Sequence, residues 1–166
     1  MQTQLDHDKY AAYLNQHLLA SDAGMRAFEA AAHSWADTPY ASVFSGISDE
    51  LEVSRSQLIA LIERLGYKVS RTRTVLSGAA EVAGRVNPLN PLRSTDSKGT
   101  QLELDSLVGA VRTQAMMWET LLALVDVDPR LDAAELSELV ERCASQRNRV
   151  REVSAKTAAA RFTVAD

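Results

Sequence analysis

Four stretches of this chain repeat apolar residues at alternating steps of three and four, and a long interruption divides them two and two. No other feature constrains the fold as much. Steps of three and four hold side chains on one face of an α-helix, whereas a strand would scatter them over both of its faces. In the first stretch, about 9–36, the inward positions are Leu14, Leu18, Ser21, Met25, Phe28, Ala32 and Trp35. The second, about 39–65, carries Val43/Phe44, Ile47, Leu51, Ser54, Leu58, Leu61 and Leu65. The third, about 101–125, carries Leu104, Leu107/Val108, Val111, Gln114, Trp118, Leu121 and Val125. The fourth, about 133–160, carries Leu136, Leu139, Cys143, Gln146, Val150, Val153, Thr157 and Ala160. Stripes of similar length predict an all-α protein, a four-helix bundle built as a single domain over 1–166, with helices roughly 40 Å long.

Local signals set the ends. Asp6 or Asp8 can cap the first helix, and Thr38 can cap a second helix that begins at Pro39. Gly66 suits a left-handed C-terminal cap. Thr100-x-x-Glu103 and Asp132-x-x-Glu135 read as capping boxes for the third and fourth helices, and the tail from Phe162 to Asp166 is expected to fray. The first and third connections are short, so each flanking pair should form an antiparallel hairpin. The interruption, 67–99, is several times longer than the roughly 2–8 residues that usually join helices in bundles. Within it, Arg71 to Val86 can form a short helix, while Asn87-Pro88 and Asn90-Pro91 force extended or turned backbone. A crossover of that length can travel the whole bundle and start the third helix parallel to the second.

Composition narrows the function classes. A net charge of −4 gives no electrostatic reason to expect nucleic acid or an anionic membrane as partner. The basic residues Lys68, Arg71, Arg73, Arg85 and Arg93, and the basic end of the fourth helix, read as solvated faces and as complements to the helix dipole. No window approaches the roughly 18 apolar residues of a membrane span, and the opening MQTQLDHDKY lacks a basic region followed by an apolar run. A cytoplasmic setting without membrane association is therefore expected. The lone Cys143 excludes an internal disulfide and a cysteine-based zinc site. His7, His17 and His33 are too scattered for a metal set, and there is no phosphate-binding glycine loop, His-Glu-x-x-His or nucleophile elbow. Tyr10, Tyr13, Trp35, Trp118 and Met116-Met117 read as packing or interface residues.

Leu14-Asn15-x-x-Leu18-x-x-Ser21, followed by Phe28, resembles the first helix of bacterioferritin-type proteins, where a Glu ligand follows the Leu-Asn pair by two turns. Leu58 through Leu65-Gly66 resembles the Leu-rich run after that family's Glu-x-x-His motif. With the long crossover, the chain is similar to the ferritin-like superfamily, and in particular to small bacterial stress-associated members that place an extra short helix there. The resemblance implies ferritin-like topology and the place of a dinuclear iron site, which needs two Glu and two Glu-x-x-His motifs. Carried over residue by residue, the ligand positions hold Ser21, Leu51, Ser54, Gln114, Cys143 and Gln146. None keeps a carboxylate or an imidazole.

The resemblance therefore implies a degenerate metal site with no cofactor, in a non-catalytic protein. Such a protein would act in a stress response by self-association, as a homodimer through its first two helices, or by binding a protein partner that the sequence does not name. Two rival expectations stand beside it. Asp22, Glu50 (or Glu52) and Glu119 lie next to the stripes, and a shifted register could let them hold iron or manganese for binding or redox chemistry. That register needs a rotation of about 100° per residue, which buries charge and exposes leucine. Alternatively, a polar bundle centre could take a small molecule. Ser21, Ser54, Gln114 and Gln146 would either hydrogen-bond to one another across that centre or bond to local backbone.

Overall fold

A computed structural model describes residues 4–70 and 101–164. These form four helices and no strand: α1 (His7–Ser34), α2 (Ala41–Arg64), α3 (Gln101–Leu122) and α4 (Ala133–Phe162). The short helix expected over Arg71 to Val86, the Asn-Pro turns and Thr100 lie outside the described residues.

The helix ends follow from caps. Asp6 sits in extended backbone and accepts from Lys9 N at 3.1 Å, so α1 starts earlier than expected. After α1, Thr38 does not cap α2. Its hydroxyl donates to Trp35 O at 2.7 Å and accepts from Tyr40 N at 3.2 Å, which ties the turn back onto α1. Pro39 stays in the turn, and α2 begins at Ala41 behind Tyr40, which makes no side-chain cap bond. Gly66 ends α2 at φ 78°, with Tyr67 N donating to Ile62 O at 3.0 Å across it. Only glycine takes that backbone without strain. α3 stops at Leu122, short of Val125, because the chain tightens into turns that close with Asp128 N on Leu124 O at 2.8 Å. Asp132 caps α4 by accepting from Ala134 N and Glu135 N, while the Glu135 carboxylate turns away to meet Arg64 at 2.7 Å.

The stripes face one another. α1 packs along α2 and α3 along α4, while α1 meets α3, and α2 meets α4, more sparingly. The second stripe is buried at every step from Phe44 through Leu65, with Phe44 and Ile47 fully so. Leu14, Leu18, Phe28 and Trp35 from α1 and its end join it, as do Leu104, Leu107, Val111, Trp118 and Leu121 from α3. α4 contributes Leu136, Leu139, Cys143, Gln146, Val150 and Val153. At the end of its stripe Ala160 is exposed rather than inward, because α4 is the longest helix and its last turn has no core beneath it. Burying a Leu or Phe side chain contributes about 1.5–3 kcal/mol each, so this core dominates the favourable side of folding. No described helix is long and apolar enough to cross a membrane.

Side-chain contacts fix how the helices lie. His7, at the start of α1, meets Tyr67 just past α2, and mid-helix Asp22 meets Arg55. Trp35, after α1, packs on Phe44 near the start of α2. Arg64 at the end of α2 reaches Glu135 at the start of α4, while Glu50 reaches Arg149. Gln101 at the start of α3 bonds Ser154 and Arg161 late in α4.

Candidate functional site

The bundle centre is where a metal would sit in a ferritin-like protein. Leu51, Ser54, Cys143 and Gln146 are all buried there, and Ser21 and Gln114 are half-buried. The four polar positions do not bond to one another. The Ser21 hydroxyl donates to its own helix at Leu18 O, 2.6 Å away. The Gln114 amide oxygen faces the Cys143 thiol at 4.0 Å, a long and weak contact. Fully buried Gln146 turns its Nε2 outward to Glu50 at 2.9 Å, and its Oε1 has no partner. In place of a layer in which the four bond to one another, Ser21 bonds to its own helix, Gln114 meets Cys143 and Gln146 meets Glu50.

The neighbouring carboxylates are each held by an arginine. Arg55 donates to Asp22 at 2.5 Å, Arg149 to Glu50 at 2.5 Å, and Arg112 to Glu119 at 2.6 Å. Burial would raise the Glu50 pKa, but hydrogen bonds from Arg149 and Gln146 outweigh it and hold the carboxyl below its ordinary value. Among the described residues, no three His, Cys, Asp or Glu side chains group closely enough to hold a metal ion. The residues present therefore do not fit a dinuclear centre. Cys143 offers no nucleophile, since burial pushes its thiol up to about 11 and leaves it protonated at neutral pH. His17 packs edge-on to Tyr13, and burial lowers its pKa.

A second cluster, at the end of the bundle where α1 starts and α2 stops, escaped the sequence reading. Asp128 is almost wholly buried and takes two bonds from Arg130, at 2.7 and 2.8 Å, plus the Arg130 backbone N–H at 3.2 Å. Those bonds hold its carboxyl below the usual range. The same guanidinium donates to Leu65 O at 2.8 Å, satisfying a helix-end carbonyl, and to Tyr67 Oη at 3.3 Å. It also lies 5.5 Å from the Tyr67 ring centre. Tyr67 Oη meets His7 Nδ1 at 2.6 Å, and Tyr10 packs edge-on against the Tyr67 ring. Burial, then the nearby Asp128 charge, raises the Tyr10 pKa. Asn15 joins the same end by accepting from Ser70 N at 2.7 Å and donating to Lys68 O. The only sequence trace of this clasp is Asp128-Pro129-Arg130, an acid and a base two residues apart around a turn. Every polar end of Arg130 is engaged, so the clasp joins elements rather than presenting a reactive group.

A second buried acid, Glu103, sits at the start of α3 beside Ser34 and Trp35 at the end of α1, and burial raises its pKa. It marks the α1–α3 contact at the opposite end.

The described residues form four long helices whose polar residues at mid-bundle are neutral and whose neighbouring acids Asp22, Glu50 and Glu119 are paired with arginine. No protein-family model, curated protein or solved structure matches the chain.

Proposed function

We propose that this chain is a non-catalytic ferritin-like protein whose dinuclear metal centre has been lost, and that it acts by self-association or by binding a protein partner. One observation carries the reading: Asp22, Glu50 and Glu119, the carboxylates nearest the ligand positions, each hold an arginine. A dinuclear centre requires several carboxylates to neutralise two cations. A guanidinium already occupying the carboxylate does that work, and it also repels an incoming cation. The shifted-ligand alternative loses its ligands in the same way.

Ferritin-like topology is supported by the pairing of helix ends. The start of α1 meets the end of α2, the start of α4 meets the end of α2, and the start of α3 meets the end of α4. Neighbours so paired are antiparallel, which makes α2 and α3 parallel. The family likeness adds a bacterial, cytoplasmic, stress-associated setting.

The test is metal content of the purified protein, followed by anaerobic titration with Fe(II) and with Mn(II). Well under one metal per chain is the expected result. Binding near two per chain, lost on substitution of Glu50 and Glu119, would overturn it.

A further inference from the structure

The outer face of α3 has a pattern that the other described residues do not use. Leu102, Gly109 and Met116 recur every seven residues along the line opposite the buried Leu104, Leu107, Val111 and Trp118. Leu102 is 57% exposed and Met116 53%, whereas the other exposed large apolar side chains among the described residues lie singly on α1 and α2 or at and just beyond the end of α4. Between the two sits Gly109, where an added Cβ would meet nothing within 4 Å. Glycine inside a helix is unfavourable, and no packing among the described residues requires it here. It leaves a notch on the outside. On one flank Ser106, Thr113 and Thr120 turn their hydroxyls back onto their own helix, to Leu102 O, Gly109 O and Met116 O. The hydroxyl donors of that flank are therefore already used within the helix. The other flank carries Asp105, whose Oδ1 accepts from Gln101 Nε2 at 2.7 Å, and Arg112, whose Nη1 donates to Glu119 at 2.6 Å and whose remaining N–H groups are left to pair.

We propose that this face binds a second copy of itself, antiparallel, about a two-fold axis at Gly109. The proposal rests on the self-association reading above and names its surface. A two-fold interface brings residue i onto j and j onto i. Centred at Gly109, it sets Leu102 against Met116 of the second copy and Gly109 against Gly109, where the missing side chains let the backbones approach. Such an axis also keeps each flank on its own side of the interface. Ser106 then faces Thr113, and Asp105 faces Arg112, twice over and with opposite charge. A parallel pair would set the charged flank against the hydroxyl flank and lose both ion pairs. A contact resting mainly on one helix is small for a permanent dimer, so the association is reversible and concentration-dependent.

The experiment is sedimentation velocity across a wide concentration range, on the whole chain and at low salt. The wild type should dimerise. Asp105→Arg and Arg112→Asp, each alone, should weaken dimerisation at least about tenfold, because each places two like-charge pairs in the interface. Mixed one to one, the two variants should form a heterodimer. Position 105 of either copy then meets position 112 of the other with opposite charge, at one site in the original sense and at the other with the charges exchanged. Circular dichroism of each variant checks that α3 still folds. Two results would overturn the proposal. A wild type that stays monomeric at millimolar concentration removes the self-association reading along with this surface. A dimer that ignores both substitutions and gains nothing on mixing leaves self-association standing and moves the interface elsewhere, α1–α2 included.

Discussion

Asp128→Ala tests whether the clasp, and not the apolar stripes alone, holds the open end of the bundle. The Asp128 side chain is 1% exposed and its partner Arg130 is 35% exposed. Removing one member of a buried ion pair costs about 3–5 kcal/mol, because the other is left with an uncompensated charge. Arg130 is partly hydrated and keeps its bond to Leu65 O, so the expected loss is nearer 2–3 kcal/mol. For a chain of this size that lowers the thermal midpoint by roughly 5–10 °C. Urea unfolding followed by circular dichroism at 222 nm measures it, with the Asp128→Ala/Arg130→Ala double variant isolating the pair.

The pH dependence supplies a sign. The folded Asp128 carboxyl lies below its ordinary 3.8 because Arg130 holds it ionised. Its contribution is complete above that ordinary value and disappears as pH falls through the lower folded one. The gap between wild type and variant should accordingly be constant from pH 7 to 5 and shrink as the pH is taken below about 4. A loss under about 0.5 kcal/mol at pH 7, or a gap that widens in acid, would refute this account of the clasp.

Other outcomes follow from the bundle centre. Cys143, buried and with its thiol pushed up to about 11, should resist a thiol reagent at pH 8 in the native state and react fully in denaturant; rapid native labelling would show that the α3–α4 seam opens. Gln146→Met removes a fully buried amide whose Oε1 has no partner and leaves Glu50 its arginine, so chemical denaturation should show stability unchanged or raised by up to about 1 kcal/mol. A loss of more than about 1 kcal/mol would mean that the amide satisfies something inside the bundle.

Most of the helical framework could be read directly from the residues. The α2 stripe is buried from Phe44 to Leu65, and Gly66 and Asp132 cap where their chemistry suggests. The misses are local competitions. Thr38 has equal access to the carbonyl behind it and the helix ahead of it, and the turn claimed it. Ala160 continues the three-four pattern, but it is exposed because no other described residue packs over it there.

At the positions the ferritin resemblance singles out, only residue identities were legible. That Ser21, Leu51, Ser54, Gln114, Cys143 and Gln146 bring no charge to the ligand positions is plain from their identities. What Asp22, Glu50 and Glu119 do instead was not, because an arginine side chain is long enough to select among several acids. Glu50 found Arg149, 99 positions away, and the clasp gathers His7, Tyr67 and Arg130 from three distant segments.

Sequence alone determined which residues are helical and which face they bury, since periodicity and capping act within a few residues. Only the tertiary structure decided which acid meets which base, and that the outer line of α3 is left uncovered by the other described residues. Both depend on distances between helices, and those are set by packing the whole chain at once.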